Sequence, residues 1–177
     1  PGTGLPTMKK ILSLLLLLLL STMPTAFAKT PGEVEIGSVV RDSTMQGLTG
    51  GAKKLSDYRG KPLIINVWAS WCGPCRMEMG SLDRLYRRYG GKQFQVIGIS
   101  TDDYPDRVQG FLQQAKTGFS HFIDSKLVLE NMLGADRLPL TVLVDADGRV
   151  LAKYYGAKEW DSPQALEVIS KVFSIKL

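Results

Sequence analysis

Of the 177 residues, two are cysteines, Cys72 and Cys75, separated only by Gly73 and Pro74. A disulfide scaffold needs several cysteines spread along a chain. A structural zinc site needs a second cysteine pair or histidines, and His121 is the sole histidine. The pair therefore acts alone. Two thiols at this spacing close no metal site, but they can cycle between dithiol and disulfide, with a thiolate as the attacking species.

The flanking residues supply the geometry that this chemistry needs. Leu63 to Trp68 is apolar except for Asn66, the pattern of a strand buried on both faces. It runs into Trp71–Cys72–Gly73–Pro74–Cys75. From Cys75 to Tyr89 a stripe of Met79, Leu82, Leu85, Tyr86 and Tyr89 predicts an amphipathic helix, stopped by Gly90–Gly91. Strand, tight turn and helix place Cys72 at a helix N-terminus, where unpaired N–H groups and the helix dipole stabilise a thiolate. Cys75 lies one turn inward, placed to resolve a mixed disulfide, and Pro74 costs nothing in the first turn. Three residues bring the sulfurs into bonding range. A purely structural disulfide is the alternative, but closing so short a loop gains little stability.

The remaining elements are coarser. Val39–Val40 is predicted as a short strand, Gly47 to Gly51 as a loop, and Lys53 to Leu55 as a returning hairpin partner. Ser56 to Gly60 reads as a capped turn. Phe94 to Ser100 is a second buried strand, Asp106 to Ala115 a helix, and Lys126 to Leu133 a short helix ended by Gly134. Leu140 to Asp145 and Val150 to Tyr155 are strands joined at Asp147–Gly148, a two-residue hairpin signal. Ser162 caps a last helix that starts at Pro163 and runs to about Phe173. The order implies one α/β domain with a mixed sheet covered by helices on both faces.

Composition narrows the partners. The chain is 44% hydrophobic and 22% charged, ordinary for a folded domain, with a net charge of +5. Bases and acids interleave, with no concentrated basic stripe, so no nucleic-acid partner is expected. Lys9 and Lys10, the apolar run Ile11 to Leu20 and Ala26–Phe27–Ala28 make a secretory signal over residues 8–28, with cleavage after Ala28. The alternative is a retained anchor, although ten helical residues span only about 15 Å of a core near 30 Å. Residues 1–7 read as a cloning scar or an over-long start before Met8, which leaves residues 29–177 as the domain.

The stretch from Asn66 to Glu78, Asn-Val-Trp-Ala-Ser-Trp-Cys-Gly-Pro-Cys-Arg-Met-Glu, resembles the thioredoxin superfamily, and most of all its exported TlpA/ResA-like branch. Leu55 to Lys61 and the run from Leu138–Pro139–Leu140–Thr141 through Arg149 resemble further segments of that branch. The likeness covers roughly residues 34–177. It implies a thioredoxin fold with an N-terminal β-hairpin and a central insertion. It also implies a cis Pro139 beside the cysteines, and a Leu138 that offers backbone groups to an incoming peptide; alone, Pro139 reads as an ordinary trans proline. Trp71, Gly73 and Pro74 complete the implied substrate surface, although core packing is an equal reading for Trp71.

Two positions depart from the pattern. Asn66 stands where thioredoxins carry a buried aspartate, so that acid–base group is missing. Glu78, three residues after Cys75 and a glutamate in ResA-like proteins, is the candidate replacement; the alternative is an exposed glutamate paired to a neighbouring base. Gly80 replaces a helix-kinking proline.

The function expected is a periplasmic thiol–disulfide oxidoreductase that reduces disulfides of exported client proteins, without metal or other cofactor. A membrane thiol-electron transporter would recharge it, because the periplasm is kept oxidising. Membrane contact of its own requires a retained leader. A dithiol oxidant or isomerase on the same fold is the second reading. A copper-binding thiol chaperone is the third, disfavoured by the lack of histidines. Met77 and Met79 read as core filler, Arg84, Arg87 and Arg88 as a solvated helix face, and His121 carries no assigned chemistry.

Overall fold

A computed structural model describes residues 30–177. The expected signal at 8–28 and the extraneous start at 1–7 lie outside the described residues. Among these, no helix is long and apolar enough to cross a membrane.

Seven strands form one sheet in the order β2-β1-β5-β4-β3-β6-β7. They are β1 (Thr44–Gly47), β2 (Lys53–Lys54), β3 (Leu63–Trp68), β4 (Gln95–Ser100), β5 (Ser120–Ile123), β6 (Leu140–Val144) and β7 (Val150–Tyr155). β3, β4 and β5 run parallel, and the outer pairings are antiparallel. The helices are α1 (Gly73–Tyr89), α2 (Pro105–Ala115), α3 (Val128–Leu133) and α4 (Pro163–Phe173). The segment between β4 and α3 contributes α2 and β5, the central insertion of the expected fold.

Alternation along the strands sorts the core into two layers. Leu63, Ile65 and Val67 of β3 face one layer with Ile97, Ile99, Leu140, Val142 and the α3 residues Leu129 and Met132. Ile64 and Trp68 face the other with Val96, Leu143 and residues of α1, α2 and α4. Asn66 and Thr141, at even positions of β3 and odd positions of β6, share that second face; β3 and β6 pair Asn66 with Thr141.

α1 ends where Gly90 donates to the Tyr86 carbonyl. A Cβ at Gly90 would lie 2.5 Å from that oxygen, which explains the glycine. At α4, Ser162 Oγ accepts from Ala165 N–H at 3.2 Å and Pro163 opens the helix.

Three expectations need correction. Val39–Val40 is no strand: Val39 makes a single bridge to Arg149, and the hairpin strand begins at Thr44. Asp42 accounts for the shift, because Oδ1 accepts from the N–H groups of both Ser43 and Ser56 and ties the hairpin at that point. β5 has no counterpart in the expected order. Four residues containing a histidine carry too little alternation to announce a strand, and β4 and β1 on either side define it. The β6–β7 turn is longer than two residues. Asp145 N–H donates to Arg149 O at 2.9 Å and Gly148 N–H to Asp145 O at 3.1 Å. Gly148 sits at φ +87°, the left-handed position of a turn closed by a glycine bulge, and the register shifts beside Val144.

Candidate active site

A disulfide joins Cys72 and Cys75 across the first turn of α1, with Cα atoms 5.3 Å apart. Cys72 is the N-cap, extended at φ −83° and ψ 107°, and its Sγ accepts from Cys75 N–H at 3.3 Å. The sulfur thus takes one of the donors that a helix start leaves unpaired. Cys72 keeps 6% exposure and Cys75 none, so an incoming partner can reach only the first. Gly73 and Pro74 form the exposed surface of the same turn.

Cys72 opens onto a groove of about 390 Å3 whose walls include Trp71 and Leu138. Trp71 is 71% exposed, which removes core packing as its role. Leu138–Pro139 is a cis peptide, and Pro139 O accepts from Gly156 N–H at 2.9 Å. Asp103, Glu130 and Asp136 bring carboxylates to the groove. Burial and the nearby Asp124 charge push Glu130 upward.

Glu78 points inward from the next turn of α1 and is 2% exposed, so it is no surface glutamate. Oε1 accepts from Asn66 Nδ2 at 2.7 Å, and Oε2 accepts from Lys158 N–H at 3.1 Å and Trp160 Nε1 at 3.0 Å. No ion pair engages it among the described residues. Burial raises its carboxyl above the usual range, opposed by the Asn66, Lys158 and Trp160 donors and by the Lys158 charge. Asn66 also donates to Thr141 Oγ1 at 3.1 Å, while its own Oδ1 has no hydrogen-bond partner among the described residues. A buried carboxylate one turn from Cys75, held by three neutral donors, is a group that can take and return a proton.

Trp160 and Lys158 belong to this site, yet nothing in their spacing announced them; the Trp160–Glu78 bond spans 82 residues. Arg84 is not simply solvated, since it holds Asp161 of the same loop at 2.6 Å. Arg87 likewise pairs with Asp83 at 2.6 Å. Met79 is buried filler as expected, whereas Met77 is exposed. At Gly80 an added Cβ would meet only the tip of Arg84, so the helix neither needs nor excludes a side chain there. Among the described residues no cluster of three or more His, Cys, Asp or Glu side chains stands ready to hold a metal.

The parallel β3–β4 core, the dithiol at the start of α1 and the cis-proline before β6 define a thioredoxin-fold thiol–disulfide oxidoreductase. The chain belongs to the AhpC/TSA family, whose model matches residues 36–157. The thiol–disulfide oxidoreductase ResA of Geobacillus thermodenitrificans is 31% identical over 144 residues, 81% of this chain and 83% of the relative. A Chlorobium tepidum chain assigned as the thiol:disulfide interchange protein DsbE superposes with a TM-score of 0.73 at 28% identity, covering 79% of this chain and 99% of that one. The exposed lipoprotein thioredoxin Etrx1 of Streptococcus pneumoniae shares the fold at a TM-score of 0.66 and 20% identity, over 74% and 99% of the two chains.

Proposed function

We propose that the protein is an exported, periplasmic reductase of disulfides in client proteins. The observation that carries this reading is the division of labour at α1, with Cys72 open to the groove and Cys75 sealed above the donor-rich Glu78. The similarity to a thiol–disulfide oxidoreductase supports the exchange chemistry, and the direction is the part that the experiment below decides.

In the reduced form the Cys72 thiolate attacks one sulfur of a client disulfide. That bond breaks, a mixed disulfide forms, and the departing client thiolate takes up a proton. Cys75 then gives its proton to Glu78 and attacks the Cys72 sulfur, which releases the second client thiolate. Glu78 then gives that proton back to solvent, from which the second client thiolate is protonated. With the proton that Cys72 lost on ionising, two electrons and two protons pass from dithiol to client. The resulting Cys72–Cys75 disulfide is the state described here, and a membrane thiol-electron transporter returns it to the dithiol. Trp71, Gly73, Pro74, Leu138 and Pro139 form the surface on which the client lies, with the membrane involved directly only through a retained leader.

The reduction potential of the Cys72–Cys75 couple in a glutathione or dithiothreitol buffer tests the direction. A value near that of thioredoxin, about −270 mV, fits a reductase recharged from the cytoplasm. A value above about −150 mV makes the protein an oxidant and overturns the proposed direction.

A further inference from the structure

The turn between β3 and α1 is fastened by a carboxylate that the exchange chemistry does not use. Ser70 donates to Asp102 twice, from its N–H to Oδ2 at 2.8 Å and from its hydroxyl to Oδ1 at 2.6 Å. Ser100 Oγ donates to Oδ2 at 2.7 Å and accepts from Asp102 N–H at 3.2 Å. Asp102 is 3% exposed, and no ion pair engages it among the described residues. A buried carboxyl group held by hydrogen bonds is costly to disturb, because each lost partner leaves a buried polar atom unsatisfied. Here two of the donors come from one residue, two positions before Cys72.

The neighbouring backbone shows what the clamp controls. Thr101 N–H donates to Trp68 O at 2.9 Å, and Cys72 N–H donates to Ala69 O at 3.1 Å. Trp68, Ala69, Ser70 and Cys72 are therefore each tied down, while the Trp71 side chain between them projects into solvent. The carboxyl ends of two parallel strands, β3 and β4, meet at this knot. Disulfide displacement requires the attacking sulfur to lie in line with the bond it breaks, so small errors in its placement lower the rate steeply.

We propose that Asp102 is a positioning residue for Cys72, holding the turn through Ser70 so that the sulfur faces the groove in one orientation. The inference rests on the reading of Cys72 as the attacking sulfur. The test is single-turnover reduction of a disulfide-bonded peptide by the fully reduced protein, followed across pH. Ser70→Ala lowers the high-pH plateau rate about tenfold, and Ser70→Thr, which keeps both donors, restores it. Asp102→Asn lowers the plateau similarly. The double variant is within about twofold of the worse single one, because both remove one clamp. Alkylation of Cys72 by iodoacetamide, which needs no alignment of three sulfurs, keeps its plateau in every variant. Plateau exchange within about twofold of the unsubstituted protein in Ser70→Ala overturns the proposal, as does an equal loss in alkylation. If Asp102→Asn fails to fold, the Ser70→Ala and Ser70→Thr pair still decides. Cys72→Ser separates the two readings: exchange that persists there overturns the assignment of the attacking sulfur, whereas its loss beside an unaffected Ser70→Ala overturns the clamp alone.

Discussion

Glu78 and His121 are both sealed within the same layer of the core, yet the fold treats them oppositely. Three neutral donors converge on the Glu78 carboxylate. Among the described residues the His121 ring has one hydroxyl, Thr117 Oγ1 at 2.8 Å from Nε2, and its Nδ1 has no hydrogen-bond partner. Its ring packs against Phe119 at 4.5 Å and Trp68 at 5.5 Å. The absence of a side chain at Gly98 admits it, since a Cβ there would lie 2.3 Å from Nδ1. Burial drives the imidazole down to about 3, with the Asp83 charge opposing weakly. Donors keep a buried acid able to exchange its proton; their lack fixes a buried base as neutral packing. Proximity to the dithiol follows the same division, with Glu78 one turn from Cys75 and His121 on β5.

The largest expected effect tests the packing half of this contrast. His121 is depressed from 6.5 to about 3 on folding, so between those values only the unfolded chain holds the proton. Its contribution to stability is complete above 6.5 and is lost as the pH falls toward 3, on the order of 5 kcal/mol across the window. Urea midpoints taken from pH 7 down to pH 4 should therefore fall less steeply in His121→Gln than in the unsubstituted protein. Parallel curves would show that the imidazole is not held neutral, and the contrast would collapse.

The chemical half is tested by Glu78→Gln. Loss of a proton acceptor for Cys75 should slow peptide reduction at neutral pH by about 10- to 100-fold and remove a limb of its pH profile. An unchanged profile would reduce Glu78 to packing as well. Stability supplies an independent check of sign. The carboxyl is raised on folding, so the stability it contributes is complete below its unfolded value of 4.5 and lost as pH rises through the higher folded value. The advantage of the native glutamate over glutamine should shrink with rising pH, and an advantage that grows would contradict the raised carboxyl.

What was legible in the sequence follows the range of the interactions. β7 and α4 begin and end where the turn signal at Asp147–Gly148 and the Ser162–Pro163 cap place them, because those signals are local. The dithiol was legible by residue type and spacing, and Glu78 by its position one turn further along the same helix. β5 was not, since a four-residue strand takes its identity from the strands beside it. Asp102 and Trp160 stayed hidden for the same reason. They reach Ser70 and Glu78 across 32 and 82 residues, contacts that exist only once the sheet is assembled. An acid just past the end of a buried parallel strand was the one available hint at Asp102.

The smallest effect asks whether the donors, rather than burial alone, set the behaviour of Glu78. Trp160→Phe removes the Nε1 bond to Oε2 and leaves the Lys158 N–H on that oxygen and Asn66 on the other. The phenyl ring can keep the edge-on packing that Trp160 makes with Tyr154 at 5.9 Å. A hydrogen bond to the ionised form favours that form, so its loss should move the carboxyl further up. One donor of three is lost, so the movement is the share of the carboxylate's stabilisation that this one bond supplies. The pH profile of peptide reduction should move upward by that amount in Trp160→Phe, with its plateau unchanged. A fixed midpoint would mean that burial alone governs Glu78, and the carboxylate and the imidazole would then differ only in sign. An upward shift makes the loop after β7 part of the redox site, because its indole sets the pH at which Cys75 can hand over its proton.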